Sequence, residues 1–333
     1  MRKRIFFRAD GTVQMGLGHL IRSRALADML FDTYEISFVS QHIADAVRSE
    51  FIDSGYTSHI IASESEFLDM IGYDDLVVLD GYQFGLELQD EIKKQAKALI
   101  CIDDLMEPEC HADLIINQSP GVSPTDYKAL PGTLFALGTD YTLLRAPFLE
   151  SARSDISSGD KETVFICFGG SDAQDLIKST WEIVRNSGLF RRIILVTGAS
   201  YQHLASLLEH IDGDAATEHH HHIDAKKMCN LMMESGLKIV PSSGILFEAI
   251  ATGGTVISGY YTNNQIPNYQ HFLELRAIID AGTFQPEMVE KALNVRPVFS
   301  EVNKVIDGRS RDRFRDLFFE LENRIKENVL KTT

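Results

Sequence analysis

Arg8-Ala9-Asp10-Gly11-Thr12-Val13-Gln14-Met15-Gly16-Leu17-Gly18-His19-Leu20-Ile21-Arg22 is the stretch on which the reading of this chain turns. The short apolar run Ile5 to Phe7 leads into it, and Leu20 to Leu30 leaves it with helical spacing. The local order is strand, long loop, Gly-x-Gly-His, helix. Two glycine motifs lie close to it and neither fits. A dinucleotide fingerprint puts its first glycine directly after the strand, whereas here about seven residues intervene and Ile21 holds the third-glycine position. A P-loop needs Gly-Lys-Ser/Thr, and this loop has none. NAD binding and ATP hydrolysis both lose ground. Gly16 and Gly18 do supply close backbone approach and exposed amides at a helix N-terminus. His19 then stands at the mouth of the loop, and an imidazole with an ordinary pKa near 6.5 takes up protons at neutral pH. On this stretch alone, a solvated histidine in a helix-initiating loop is the competing reading.

Outward from the loop, short Ile-, Val- and Phe-rich runs alternate with amphipathic stretches, the pattern of βαβ units around a parallel sheet. Strands are predicted at 5–8, 35–39, 59–62, 76–80, 98–103, 114–117 and 133–137, with helices at 20–30, 43–53, 64–71 and 86–97. The polar, small stretch 151–161 breaks the alternation and reads as a linker, expected to flex on ligand binding. Strands then resume at 163–167, 192–197, 237–240 and 255–258, with helices at 173–186, 201–210, 224–234 and 245–252. A last amphipathic helix is predicted over 309–330, where Phe314, Leu317, Phe318 and Leu321 recur at three- and four-residue spacing. The expected organisation is a Rossmann-like domain over 1–150, a second over 161–308, and a terminal helix over 309–333 crossing back to the first. Two such sheets predict a site in the cleft between them, at the carboxyl ends of the strands.

Length and composition narrow the function. A chain of 333 residues suits two α/β domains. A net charge of −16 disfavours nucleic acid, which needs a basic face. No apolar run is long enough for a membrane span, and the N-terminus reads as a strand and not a signal peptide, so a cytoplasmic protein is expected. The four cysteines, Cys101, Cys110, Cys167 and Cys229, lack CxxC spacing and are expected to be packing residues.

Three stretches of the second half carry candidate ligand chemistry. Phe168-Gly169-Gly170-Ser171-Asp172 follows a strand and precedes a helix; its glycines admit a ligand to the backbone, and Ser171-x-x-Gln174 also reads as a capping box. In Ser242-Ser243-Gly244-Ile245-Leu246-Phe247-Glu248, the amides near Ser243, Gly244 and Ile245 are placed to cap an anionic oxygen. Glu248, one turn on, suits a ribose diol or is a solvated glutamate. Asn263-Asn264-Gln265 offers amides either as turn formers or for sugar hydroxyls. Asp103-Asp104 as a Mg²⁺ site and His219-His220-His221-His222 as a metal tract are disfavoured, because neighbours on a strand do not all face one ion.

Together these pieces resemble the UDP-sugar hydrolases of pseudaminic acid biosynthesis, within a wider set of GT-B-fold proteins that includes spore-coat polysaccharide proteins. The elements that match are Arg8-Ala9-Asp10, Gly16-Leu17-Gly18-His19, Leu79-Asp80-Gly81-Tyr82, Ile102-Asp103-Asp104, Gly138 through Arg145, Phe168 through Asp172, Ser242 through Glu248 and Asn264-Gln265, in the family's order. The resemblance implies a GT-B-like α/β fold with His19 as the general base for water attack on the anomeric carbon, and no metal or cofactor. It implies Arg8, Asp10, Gly16, Gly18, Tyr82, Asn264 and Gln265 near the sugar. It places the nucleotide on Gly169, Gly170, Ser171, Ser243, Gly244 and Ile245, the ribose on Glu248 and the uracil near Ile223. Gly81 stands where the family pattern leads one to expect histidine, and the tail beyond about residue 285 has no counterpart in its shortest members. A glycosyltransferase on the same fold is the alternative; a non-catalytic nucleotide-sugar binder and a dehydrogenase fit less well.

Overall fold

In this computed structural model, which describes residues 2–12, 16–105, 109–154, 159–295 and 305–332, the chain forms two compact units, Met1–Leu143 with Arg309–Thr333, and Leu144–Gly308. Each is built around a parallel sheet whose central strands are apolar on both faces, as helices covering both faces require.

The strands of the first unit are β1 (Lys3–Ala9), β2 (Tyr34–Ser40), β3 (Thr57–Ile60), β4 (Leu76–Asp80), β5 (Ala98–Ile102), β6 (Glu109–Cys110), β7 (Leu114–Asn117), β8 (Lys128–Ala129) and β9 (Leu134–Leu137). Its helices are α1 (Gly18–Leu30), α2 (Asp45–Asp53), α3 (Glu64–Met70) and α4 (Leu86–Gln95). Seven strands form one sheet in the order β3-β2-β1-β4-β5-β7-β9, while β6 and β8 pair separately. Ile5 of β1 faces Ile36 of β2 on one side and Leu76 of β4 on the other. The strand order therefore reverses between β1 and β4, and the loops leaving these two strands diverge there to open a crevice. Phe6, Val77 and Leu79 pack with Phe67 and Ile92 in the core.

The second unit adds α5 (Ala146–Arg153), β10 (Asp160–Ile166), α6 (Leu176–Ser187), β11 (Arg192–Thr197), α7 (Leu204–Ile211), β12 (Thr217–His221), α8 (Ala225–Glu234) and β13 (Ser235–Pro241). It continues through α9 (Gly244–Ala251), β14 (Thr255–Gly259), α10 (Ile266–Glu274), β15 (Ile279–Asp280) and α11 (Pro286–Asn294). The order β12-β11-β10-β13-β14-β15 repeats the same logic, with the reversal between β10 and β13.

The terminal helix α12 (Ser310–Thr332) packs with the first unit. Phe314, Phe318 and Leu321 are buried, and the Phe314 ring meets Tyr141 at 5.5 Å. Each such side chain contributes about 2 kcal/mol by leaving water. Glu322, buried beside them, accepts from the Tyr34 hydroxyl at 2.6 Å, from Lys97 at 3.1 Å and from Lys3.

Several elements differ from the sequence reading. The division between units falls at Leu143/Leu144, ahead of the 151–161 stretch, because α5 packs on α8 and α9 and runs to Arg153. Residues 155–158 of that stretch lie outside the described residues. The histidine tract is an edge strand, β12, invisible to a pattern search because Thr217-Glu218-His219-His220-His221 has no apolar residue. Helix α6 starts at Leu176 after the N-cap Asp175, and its first amides are satisfied by the Asp172 carboxylate at 2.9 Å each and not by a Ser171–Gln174 box.

Candidate active site

The crevice of the first unit is built from the ends of β1, β4 and β5. Helix α1 opens with Gly18, and a Cβ there would meet nothing within 4 Å. His19 is its second residue. Asp80 ends the wholly buried strand β4 and is itself fully buried. Its Oδ1 lies 2.7 Å from His19 Nδ1. Arg22, one helical turn after His19, donates through Nε and Nη2 to the same carboxylate at 2.6–3.0 Å, and Ser23 Oγ donates to Oδ2 at 2.8 Å. The other arm of Arg22 reaches Asp104, whose Oδ2 also accepts from Tyr82 at 3.2 Å. The Tyr82 ring stands edge-on to the His19 ring, centroids 4.8 Å apart.

Electrostatics fixes the tautomer. Burial by itself would raise the Asp80 pKa, but the charge of Arg22 and the hydrogen bonds from His19 and Arg22 outweigh it and hold Asp80 below the usual carboxylate range. Arg22 is held protonated in turn: burial opposes its charge and the two carboxylates override it. An ionised Asp80 only accepts, so Nδ1 of His19 carries the hydrogen and donates, leaving Nε2 as the acceptor. A histidine oriented by a buried carboxylate through Nδ1 is the arrangement of a general base.

Arg8 and Asp10 do other work. Arg8 is 1% exposed. Its guanidinium bonds Glu64 at 2.6 and 3.1 Å, pairs with Asp10 at 2.9 Å and lies 4.9 Å over the Phe84 ring. Asp10 accepts the Gln41 and His42 amides at 2.7 and 2.9 Å and Gln83 at 3.0 Å. Through these contacts both residues hold the loops after β1 and β2 in place. Gly16, at φ +86°, donates to Thr12 O at 2.9 Å and turns the loop toward α1. At Gly81 a Cβ would come within 2.9 Å of the Phe84 ring and 2.6 Å of Gln83, so a side chain fits there only if both shift. Asp103 accepts from Tyr127 at 2.6 Å.

In the second unit the loops at the carboxyl ends of β10 and β13 flank the reversal in strand order. Gly169, at φ +82°, and Gly170 present open backbone, with Ser171 half-buried after them. Ser243 and Gly244 open α9 with no side-chain cap on its first amides, and Ile245 follows. Glu248 faces Arg145, whose Nε and Nη2 donate to its two oxygens at 2.8 and 2.9 Å. Asn264 is exposed, whereas Gln265 turns inward and accepts from the Tyr261 amide at 3.1 Å. Ile223 is half-buried just beyond the end of β12. Thr197 and the imidazoles of His219 and His221 share hydrogen bonds of 2.8 and 3.0 Å beside it.

Sequence reading missed Asp80, Arg22 and Asp104 as site residues, and Arg145 as the partner of Glu248. The signals existed. Asp80 is the one charged residue closing the run Leu76 to Leu79, and Arg22 lies three residues after His19 on the same helix face.

Two parallel-sheet units of this topology, each with ligand-type loops at its point of strand reversal, define a GT-B-type protein. Solved structures of the same fold include MurG of Acinetobacter baumannii (TM-score 0.62, 11% identity, 96% of this chain and 99% of that one) and UGT89C1 of Arabidopsis thaliana in complex with UDP (0.63, 11%, 96% and 100%). A putative UDP-N-acetylglucosamine 2-epimerase of Listeria monocytogenes also matches (0.59, 15%, 95% and 95%). No family model matches the chain. Among curated proteins, it is 25% identical to the UDP-2,4-diacetamido-2,4,6-trideoxy-β-L-altropyranose hydrolase of Campylobacter jejuni, over 79% of this chain and 93% of that one. It is 23% identical to the spore coat polysaccharide biosynthesis protein SpsG of Bacillus subtilis, over 82% of each. An uncharacterized protein of Methanocaldococcus jannaschii is 27% identical over 80% of this chain, a match that spans 57% of its own length. Over about four-fifths of its length the chain is thus similar to the Campylobacter hydrolase and the Bacillus spore-coat protein.

Proposed function

We propose that the chain hydrolyses a UDP-linked amino-deoxy sugar, releasing UDP by attack of water on the anomeric carbon, in nonulosonic acid or surface polysaccharide biosynthesis. The observation that carries this reading is the 2.7 Å contact between His19 and the buried, Arg22-paired Asp80. It leaves Nε2 of His19 as a proton acceptor beside the exposed Tyr82 ring. The names of the Campylobacter and Bacillus relatives supply the substrate class and the polysaccharide setting.

The steps follow from the residues. Water gives a proton to His19 Nε2 as its oxygen bonds to the anomeric carbon. The carbon–oxygen bond to UDP breaks, and its electron pair stays on the β-phosphate. Asp80, itself fully buried, stabilises the imidazolium that forms, as a fixed negative charge does. Amides at Gly169, Gly170 and Ser243 to Ile245 take the charge developing on the diphosphate. Glu248 accepts the ribose hydroxyls, Ile223 lies by the uracil, and Tyr82, Gly16, Gly18 and Asn264 border the sugar.

The test is UDP release from a panel of UDP-amino-deoxy sugars with no acceptor present. Turnover with free sugar as co-product is expected. Binding of UDP without turnover until an acceptor sugar is added would make the protein a glycosyltransferase.

A further inference from the structure

Glu248 is one turn into α9 between the buried side chains of Phe247 and Ala249, and only 9% of its own side chain is accessible. A carboxylate in such a place needs a cation, because burying an uncompensated charge is costly. The cation comes from Arg145, the residue that precedes α5. Its fork donates in parallel to both oxygens, at 2.8 and 2.9 Å, and its guanidinium is seated 5.2 Å over the fully buried ring of Phe148. A two-bond fork fixes the plane of the carboxylate and not merely its charge. Each oxygen keeps a lone pair outside the fork, so the carboxylate can still accept from a hydroxyl donor such as those of a ribose.

We propose that Arg145 is a positioning residue for nucleotide recognition: it fixes the plane of the Glu248 carboxylate so that this side chain accepts from the ribose hydroxyls. The inference rests on the reading that Glu248 holds the ribose. Arg145 touches neither the reacting atoms nor the nucleotide; it acts through Glu248. It therefore governs discrimination between a ribose and a nucleoside lacking its hydroxyls.

The experiment compares binding of UDP and 2′,3′-dideoxy-UDP by calorimetry, in wild type and in Arg145→Lys, with thermal melts to establish folding. In wild type UDP is expected to bind about 10-fold tighter, the scale for a hydrogen bond to a charged group. In Arg145→Lys the charge remains but the fork is lost, and the preference is expected to fall to about 2-fold or less while dideoxy-UDP affinity holds. A folded Arg145→Lys that keeps the full preference overturns the proposal. So does an equal loss for both ligands, which would mean that Arg145 acts on the diphosphate. If Arg145→Lys has no cooperative melt, Arg145→Gln is read by the same ratio. A wild type indifferent to the ribose hydroxyls sinks the ribose reading itself, before Arg145 is reached.

Discussion

Each unit sets a glycine-opened helix beside its reversal in strand order, α1 after β1 in the first and α9 after β13 in the second, and loads it differently. In the first, α1 opens Gly18-His19 and carries Arg22 four residues after the glycine. In the second, α9 opens Gly244-Ile245 and carries Glu248 at the same offset. At each helix the charged residue one turn in is held by an opposite charge, Arg22 by Asp80 and Glu248 by Arg145. The contrast lies one residue after the glycine, where one helix has an imidazole pinned to a carboxylate and the other an isoleucine. Both helices offer open backbone amides at a glycine, and only the first adds an imidazole paired with a buried carboxylate, which the proposed function uses for proton transfer. Buried cations divide the same way. Arg22 sits between two carboxylates and its pKa is raised, whereas Lys238 on β13, fully buried and donating to the Gly253 carbonyl, is pushed down to about 7 by burial.

Breaking the first unit's site has the largest effect. His19→Ala is expected to lower kcat for UDP release by about 10³-fold. The UDP Kd is expected to stay within about 2-fold, because the proposed function gives that contact to the second unit's loops. Steady-state turnover and calorimetry read the two, and equal losses in both would erase the contrast. Asp80→Asn is expected to cost about 10²-fold in kcat, since an amide neither fixes the tautomer nor stabilises the imidazolium. Turnover near wild type would show that Asp80 only anchors Arg22.

Lys238 sharpens the comparison through pH. Its folded pKa of about 7 lies below the ordinary lysine value near 10.4. Between those values the unfolded chain holds a proton that the folded chain lacks, so stability rises with pH across this window and levels off below it. Wild type should gain about 1.4 kcal/mol per pH unit more than Lys238→Met between pH 7 and 10. Denaturant titrations followed by Trp181, the chain's single tryptophan, report on the second unit. Identical slopes for the two proteins would rule out a neutral Lys238.

The smallest effect separates the glycines. A Cβ at Gly18 or Gly244 meets nothing within 4 Å, so alanine at either position folds without a clash. Gly244→Ala is expected to weaken UDP binding about 10-fold by crowding the diphosphate, and Gly18→Ala to leave it unchanged. The melting temperature should hold or rise slightly in both, as alanine favours the helix. Equal losses of UDP affinity would mean that both loops touch the nucleotide.

Much of the architecture was legible because parallel strands buried on both faces read as continuous apolar runs; Leu76–Asp80, Leu114–Asn117 and Arg192–Thr197 occur where the pattern places them. Elements without that signature were not. Strand β12 is wholly polar, and α10 follows Asn263-Asn264-Gln265, amides that also read as turn formers. Within the site, His19 and Glu248 stood out as polar residues beside glycine turns. Their partners Asp80 and Arg145 lie 61 and 103 residues away, and nothing in local spacing ties them together.

By itself the sequence determined the alternation of strand and helix, the glycine loops that end strands, and a histidine set to open a helix, because these depend on neighbours within a few residues. Only the tertiary structure decided that Arg8 and Asp10 brace the loops, that Arg22 joins Asp80 to Asp104, and that Arg145 grips Glu248. Those outcomes are set by strand order, which brings β1 against β4 and β10 against β13, and strand order is a property of long-range packing.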